Sequence, residues 1–245
     1  MQRYFIDGKV PENRKVAITG DDAKHIAKVM RQGTGDQVLV VMEGKTYLAA
    51  IENANFDIDL RLEEEQAANA EMPKNVTIAC GLPKGDKLDL IVQKSTELGM
   101  YAMIPFEAER SIVKWDAGKG EKKRIRLQKI AKEAAEQSHR VKIPEIHTIH
   151  TFSQLLEAAK SYDAIIVAYE EEARADGGKR FAEILKSMYD KDSIIVIFGP
   201  EGGISAAEVS KLKEAGAWFT ALGPRILRAE TAPLYALSAM SYEFE

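Results

Sequence analysis

From residue 75 onward the chain repeats one pattern: a short, continuously apolar run that ends in a turn, followed by an amphipathic stretch. VTIACG (76–81) precedes a helix expected over 86–98, where Leu88, Ile91, Val92 and Leu98 share a face. AMIPF (102–106) precedes a basic helix expected near 121–138. IHTI (146–149), AIIVAY (164–169), IIVIFG (194–199) and WFTAL (218–222) continue the series as strands. A strand apolar on both faces needs cover on both, and strands separated by helices pair in parallel, so the expected fold is an α/β domain with a mostly parallel sheet.

Residues 1 to about 70 follow a different rule. DDAKHIAKVM (21–30) has acids at its start and Ile26, Val29 and Met30 at helical spacing, which predicts one short helix before Gly33. VLVVM (38–42), TYLAAI (46–51) and the alternation of Ile58, Leu60 and Leu62 with polar residues predict a small, mostly antiparallel sheet or barrel. The polar stretch 63–73, ending in Pro73, reads as a linker, which divides the chain into domains 1–72 and 73–245.

The longest apolar runs fall well short of the ~20 residues a membrane helix needs, and the start MQRYFIDGK has no signal-peptide core, so no membrane is expected and the default location is cytoplasmic. Net charge is −4, yet residues 110–142 carry eleven Lys/Arg against four acids. Such a segment suits local phosphate binding, with a solvated basic helix as the plain alternative. His25, His139, His147 and His150 lack metal-ligand spacing, so no metal is expected, and Cys80 at an apolar strand end reads as inert.

In parallel sheets ligands bind beyond the carboxyl ends of strands. Neither a dinucleotide fingerprint nor a P-loop follows the first strand of this domain. Glycines concentrate later, in GPEGGIS (199–205), where Ser205 and Glu208 form the pattern of a capping box. LGPRILRAETAP (222–233) is longer and more mixed than a turn requires. Thr231 suits a cap and Pro233 a first helical turn, Ile226 and Leu227 are expected to bury, and Arg225 and Arg228 are expected to stay out. A structured loop of this kind offers an apolar slot, backbone donors and cations together.

FGPEGGI (198–204) and LGPRILRAETAP (222–233), with DLIVQKSTELG (89–99), ERS (109–111) and EQSHR (136–140), resemble the bacterial RsmE family, 16S ribosomal RNA uridine N3-methyltransferases of the SPOUT superfamily. The resemblance spans the whole chain. It implies a C-terminal trefoil knot that holds S-adenosyl-L-methionine (SAM), a PUA-like β-barrel before it, action on the small ribosomal subunit, and a homodimer; the small face of Ala232, Ala236 and Ala239 offers close packing there, with ordinary helix packing within the protomer as the commoner use of such a face. Cofactor residues on this reading are Ala168, Tyr169, Gly199, Pro200, Gly202, Gly203, Leu222, Gly223, Arg225, Ile226, Leu227 and Thr231.

Methylation at uracil N3 requires loss of the N3 proton or stabilisation of the resulting anion. Arg228, Arg110 and Arg140 are candidates for the anion and Glu201 for the proton. For Arg110 and Arg140 a phosphate contact is an equal reading. Arg3, Lys24, Lys28 and Arg31 in the first domain, and Lys122 and Arg126 in the second, are the candidate RNA contacts. Two alternatives from other classes are a non-catalytic RNA-binding assembly factor that retains the loops and a metabolic enzyme that binds a nucleotide in them.

Overall fold

The computed structural model describes residues 1–67, 70–169 and 179–245. It divides into two compact units, Met1–Glu71 with Ala135–Lys142, and Met72–Ala134 with Ile143–Glu245.

The first unit contains β1 (Arg3–Phe5), β2 (Lys15–Ile18), β3 (Gln37–Met42), β4 (Lys45–Ala54) and β5 (Ile58–Gln66) in the sheet order β1-β3-β4-β5-β2. All pairs are antiparallel except β1 with β3. Glu43 and Gly44 both take positive φ, 50° and 73°, the geometry that a two-residue hairpin needs to match the twist of its strands. Along β5, Ile58, Leu60 and Leu62 are buried while Asp59 and Arg61 are exposed, the alternation expected of a sheet with one wet face. The predicted linker starts too early, because β5 runs on to Gln66; residues 68 and 69, also within that stretch, lie outside the described residues.

The helix expected over 21–30 is only partly regular. Helix α1 (Gly20–Lys24) passes into a π-helical turn, His25–Val29, with Met30 N–H donating to His25 O at 2.9 Å. This wider winding leaves Ile26 buried but turns Val29 and Met30 out to solvent.

Segment 135–142 belongs to this unit and contains its principal buried charge. His139 takes φ 60° and Arg140 N–H donates to Ala135 O, an αL helix ending. The Arg140 guanidinium is ion-paired to Glu71, whose Oε1 also accepts from Val141 N–H at 2.9 Å and Lys142 N–H at 3.1 Å. Arg3, 2% exposed, donates through Nη1 to the carbonyls of His139 and Arg140.

The second unit is built on a seven-stranded, wholly parallel sheet. Its strands are β6 (Asn75–Gly81), β7 (Ala102–Glu107), β8 (Glu145–Ile146), β9 (His150–Thr151), β10 (Ala164–Ala168), β11 (Ser193–Phe198) and β12 (Trp218–Thr220). The order is β12-β10-β11-β6-β7-β8, with β9 also on β7. Described helices are α2 (Lys87–Glu97), α3 (Ala117–Gln137, whose end joins the first unit), α4 (Phe152–Ala159), α5 (Phe181–Lys186), α6 (Ala206–Glu214) and α7 (Thr231–Phe244). Alternate residues of one strand enter different cores. Ile194 and Val196 pack in the cluster that contains Leu88 and Ile91 of α2 and Leu237 of α7, whereas Ile195 and Ile197 pack with Leu155 of α4 and Leu212 of α6. No described helix is long and apolar enough to cross a membrane.

IHTI (146–149) is not a single strand. The register passes from Met103↔Ile146 to Phe106↔His150, so one residue is inserted opposite β7. The cause is Pro105. Met103 O accepts from His147 N–H at 2.9 Å, so Pro105, two residues on, faces the same neighbour with no N–H to offer.

Removing one partner of the Glu71–Arg140 pair leaves a buried charge unmatched. Glu71→Ala is expected to cost about 3–5 kcal/mol of unfolding free energy, read from denaturant midpoints. A loss below about 1 kcal/mol would mean that solvent already screens the pair.

Candidate functional site

The strand order reverses at the middle of the parallel sheet: from β6 the chain builds outward through β7 to β8, then returns to build β10, β11 and β12 on the other side. Ligand sites in such sheets form at this reversal, beyond the carboxyl ends of the strands. Three loops meet there, after β6, β11 and β12.

Close approach explains most of the glycines. A Cβ on Gly81 would lie 2.5 Å from Pro200 Cδ, and one on Gly202 would lie 2.7 Å from the Arg110 carbonyl oxygen. Gly199 would meet Ile204 Cγ1 at 3.0 Å, while Gly203 alone in this loop needs positive φ, 73°, in a turn closed by its N–H on Pro200 O at 2.8 Å. The loop then enters α6 through the predicted capping box. Ser205 Oγ accepts from Glu208 N–H at 3.3 Å and Glu208 Oε2 accepts from Ser205 N–H at 2.9 Å. Glu109 joins it, accepting from Ser205 Oγ at 2.6 Å and donating its N–H to Glu208 Oε1 at 2.8 Å. Arg110 is thereby held on Gly202 with its side chain exposed.

The segment after β12 forms one wall of an open slot of about 110 Å³. Of the predicted cofactor residues, Ala168, Tyr169, Leu222, Gly223, Arg225, Ile226 and Leu227 line it together, with Thr220, Ala221 and Ala232 added by the structure. Among the described residues, the main-chain N–H groups of Leu222, Ile226 and Leu227 have no protein acceptor. Gly199, Pro200, Gly202 and Gly203 stand on the neighbouring loop and are not part of this lining. Two expectations for the segment need correction, and a choice left open for the next helix is decided. Ile226 is not buried but 82% exposed, and of the two only Leu227 packs on the core. Thr231 is the first helical residue rather than the cap: Glu230 occupies the cap position, and the Arg228 carbonyl accepts from the Thr231 and Ala232 N–H groups. The small face of α7 is used internally, with Ala236 fully buried and Ala232 and Ala239 on the protomer's own core.

Two charged residues that sequence reasoning passed over join the loops. Lys87 Nζ lies 2.9 Å from Glu201 Oε1 and 3.3 Å from Glu230 Oε2. Glu201 Oε1 also accepts from Lys84 N–H at 3.2 Å. The only signal for this cluster was the presence of Lys84 and Lys87 in the loop after the first strand of the domain. Partial burial works to raise the Glu201 carboxyl, but hydrogen bonds from Lys87, its own amide and Lys84 outweigh it and hold the group below the ordinary carboxylate range. Glu230 is held low first by its own amide, against some desolvation, then by Lys87 and the Arg228 charge. Burial, with the Glu201 charge added, pushes the Cys80 thiol up to about 12, which keeps it protonated and inert.

Other candidates are placed elsewhere. Arg228 is exposed beside the slot. The guanidiniums of Arg140, a catalytic candidate, and Arg3, an RNA candidate, are both buried and bonded inside the first unit. Lys24 pairs with Asp21 at 3.3 Å, and Lys28 and Arg31 are exposed. Lys122 and Arg126 line an open groove of about 590 Å³ with Lys119 and Lys123, and Arg126 also pairs with Asp89.

A family model described as RNA methyltransferase domain matches residues 70–241, and one described as RNA methyltransferase PUA domain matches residues 18–58. Ribosomal RNA small subunit methyltransferase E of Bacillus subtilis is 46% identical over 250 residues, covering 100% of this chain and 98% of that protein. The crystal structure of the methyltransferase of that name from Neisseria gonorrhoeae, bound to S-adenosyl methionine, aligns with a TM-score of 0.86 at 28% identity over 98% of this chain and 96% of that one. A Legionella pneumophila protein in complex with the bound cofactor SAM aligns with a TM-score of 0.85 at 27% identity and the same coverage.

A carboxyl with a depressed pKa contributes stability above the ordinary carboxylate range and loses it as pH falls through the depressed value. Below that range the thermal midpoint of Glu201→Gln should therefore fall less steeply with acidification than that of the unaltered protein. Parallel curves would show that the Glu201 contacts do not contribute. Matched by the RNA methyltransferase model over most of its length and nearly half identical to a full-length relative, the chain belongs to the ribosomal RNA small subunit methyltransferase E family.

Proposed function

We propose that this protein is a SAM-dependent methyltransferase that modifies N3 of a uridine in 16S ribosomal RNA. The observation that carries the reading is the slot beyond the carboxyl ends of β10 and β12, where apolar side chains and free main-chain donors lie side by side. Ala168, Leu222, Leu227 and Ala232 suit the face of an adenine, and the N–H groups of Leu222, Ile226 and Leu227 suit its edge and the ribose. The residues present therefore fit the cofactor, and on this reading the chain takes a knotted course through these loops. Family membership and the two cofactor-bound neighbours support the same conclusion.

SAM supplies an electrophilic methyl group on a sulfonium. What remains for the protein is alignment and a competent nucleophile. Uracil N3 becomes nucleophilic as its proton leaves and charge spreads to O2 and O4, where a cation lowers the barrier. Arg228, exposed beside the slot, and Arg110, set on Gly202 at the neighbouring loop, are the residues for that role. Glu201 is a poor proton acceptor with a depressed carboxyl already bonded to Lys87, so its part is to fix the loop.

Domain 73–245 carries the chemistry on this reading, and domain 1–72 docks RNA through Lys28 and Arg31. Lys122 and Arg126 add phosphate contacts in their basic groove. The assembly is a cytoplasmic homodimer, supported by large side chains left outside on the last helix and the loop before it: Tyr242 is 90% exposed, with Ile226 and Tyr235 also open.

Incubation with methyl-labelled SAM and unmodified small ribosomal subunits, followed by digestion to nucleosides, should yield labelled N3-methyluridine. Its absence, despite SAM binding, would favour a non-catalytic assembly factor. Arg228→Ala should lower turnover by about 10²–10³ with little change in cofactor affinity. The reverse pattern would make Arg228 a cofactor residue. Reversing Lys28 and Arg31 to Glu should weaken RNA binding and flatten the dependence of log affinity on log salt by about 1.4–1.8 for two lost phosphate contacts. An equal loss of SAM affinity would refute the division between domains.

A further inference from the structure

Lys87 is an odd first residue for a helix. It opens α2 behind Asp86, which makes no side-chain cap bond, and places a cation where the helix dipole favours an anion. Local helix stability does not explain it. What the side chain reaches does: Glu201 on the loop after β11 and Glu230 at the start of α7, 2.9 and 3.3 Å from one nitrogen. A single ammonium thus ties together the loops that follow β6, β11 and β12.

We propose that Lys87 is a positioning residue that clamps the loop at 199–203 to the segment 222–230 and so preforms the cofactor slot. The inference rests on the reading of that slot as the SAM site. Glu230 sits two residues before Ala232, which lines the slot, and the Arg228 carbonyl caps the same helix start. With Glu230 held at one end and β12 in the sheet at the other, the free donors of Leu222, Ile226 and Leu227 are kept on one wall. Glu201 carries the restraint across to Pro200 and Gly202, and through Gly202 to the main chain of Arg110. Without the ammonium, two carboxylates would face each other at partly buried positions, with side chains 29% and 19% exposed, and their repulsion would push the two loops apart.

Lys87 touches none of the reacting groups in this account, so its loss should act on affinity and loop order before it acts on the methyl transfer. The experiment compares the unaltered protein with Lys87→Met, Lys87→Arg, and Lys87→Met in a Glu201→Gln, Glu230→Gln background. SAM affinity is measured by calorimetry, and amide hydrogen exchange of 199–203 and 222–232 is measured in the ligand-free protein. Lys87→Met should weaken SAM binding about tenfold or more, the scale of coupling between linked sites, and should speed exchange in both segments. Lys87→Arg should regain most of the affinity, and neutralising the two acids should recover part of what Lys87→Met loses, which general destabilisation would not do. Unchanged affinity and exchange in Lys87→Met would overturn the clamp, as would a loss undiminished in the neutralised background. Failure of the unaltered protein to bind SAM would defeat the cofactor reading instead. The exchange comparison, made without ligand, would still decide the clamp.

Discussion

A parallel strand buried on both faces can display side chains to solvent only where it ends, and in the second unit that constraint determines where chemistry is possible. The faces of β6, β10 and β11 are consumed by two apolar cores, so polar groups collect in the loops beyond their carboxyl ends. The order β12-β10-β11-β6-β7-β8 then brings loops distant in sequence to one place. Gly81 and Pro200 are in contact only because β6 and β11 are neighbours. The Lys87–Glu201 contact depends on the same adjacency, joining residues 114 positions apart, while Glu230 reaches the same ammonium from the segment after the edge strand β12.

The charged residues near the family motifs divide by what they already hold. Arg140 and Glu71 form a desolvated pair whose remaining bonding capacity goes to the main chain of the 139–142 turn. Such a pair shapes a turn but leaves no charge for a ligand. Glu201, Glu230 and Lys87 are half-open, and their contacts order loops without demanding full desolvation. Arg110 and Arg228 belong to neither group. Their main chains are fixed, by Gly202 and by the start of α7, while their side chains remain exposed. A fixed base carrying an exposed cation is the arrangement a substrate anion needs.

Much of this fold was legible in the sequence because its signals are local. Continuous apolar runs identified β6, β7, β10 and β11, and the alternation of Ile58, Leu60 and Leu62 identified β5. Ser205 and Glu208 form the capping box that their spacing predicts. The failures share a different cause. Whether Ile226 buries, whether Arg140 and Arg3 face solvent, and whether His147 continues a strand past Pro105 are all decided by a partner far away in sequence. Lys87 escaped notice for the same reason: three residues of a cluster, each ordinary in its own loop, have no common local pattern.

The glycine loop shows how the two kinds of information combine. Three glycines in GPEGG suggested a backbone opened for a ligand, yet two of them are required by close contacts inside the protein, Gly199 with Ile204 and Gly202 with Arg110. Among the described residues, donors without a protein acceptor stand on both loops: of the GPEGG glycines only Gly203 has its N–H bonded within the protein, and Leu222, Ile226 and Leu227 are open on the other loop. GPEGG is thus also a tightly packed wall beside the other loop. A wall packed that tightly tolerates no Cβ at Gly202 without displacing the main chain of Arg110. This explains in steric terms why a residue with no side chain and a residue with a free cation lie against each other at the same strand ends.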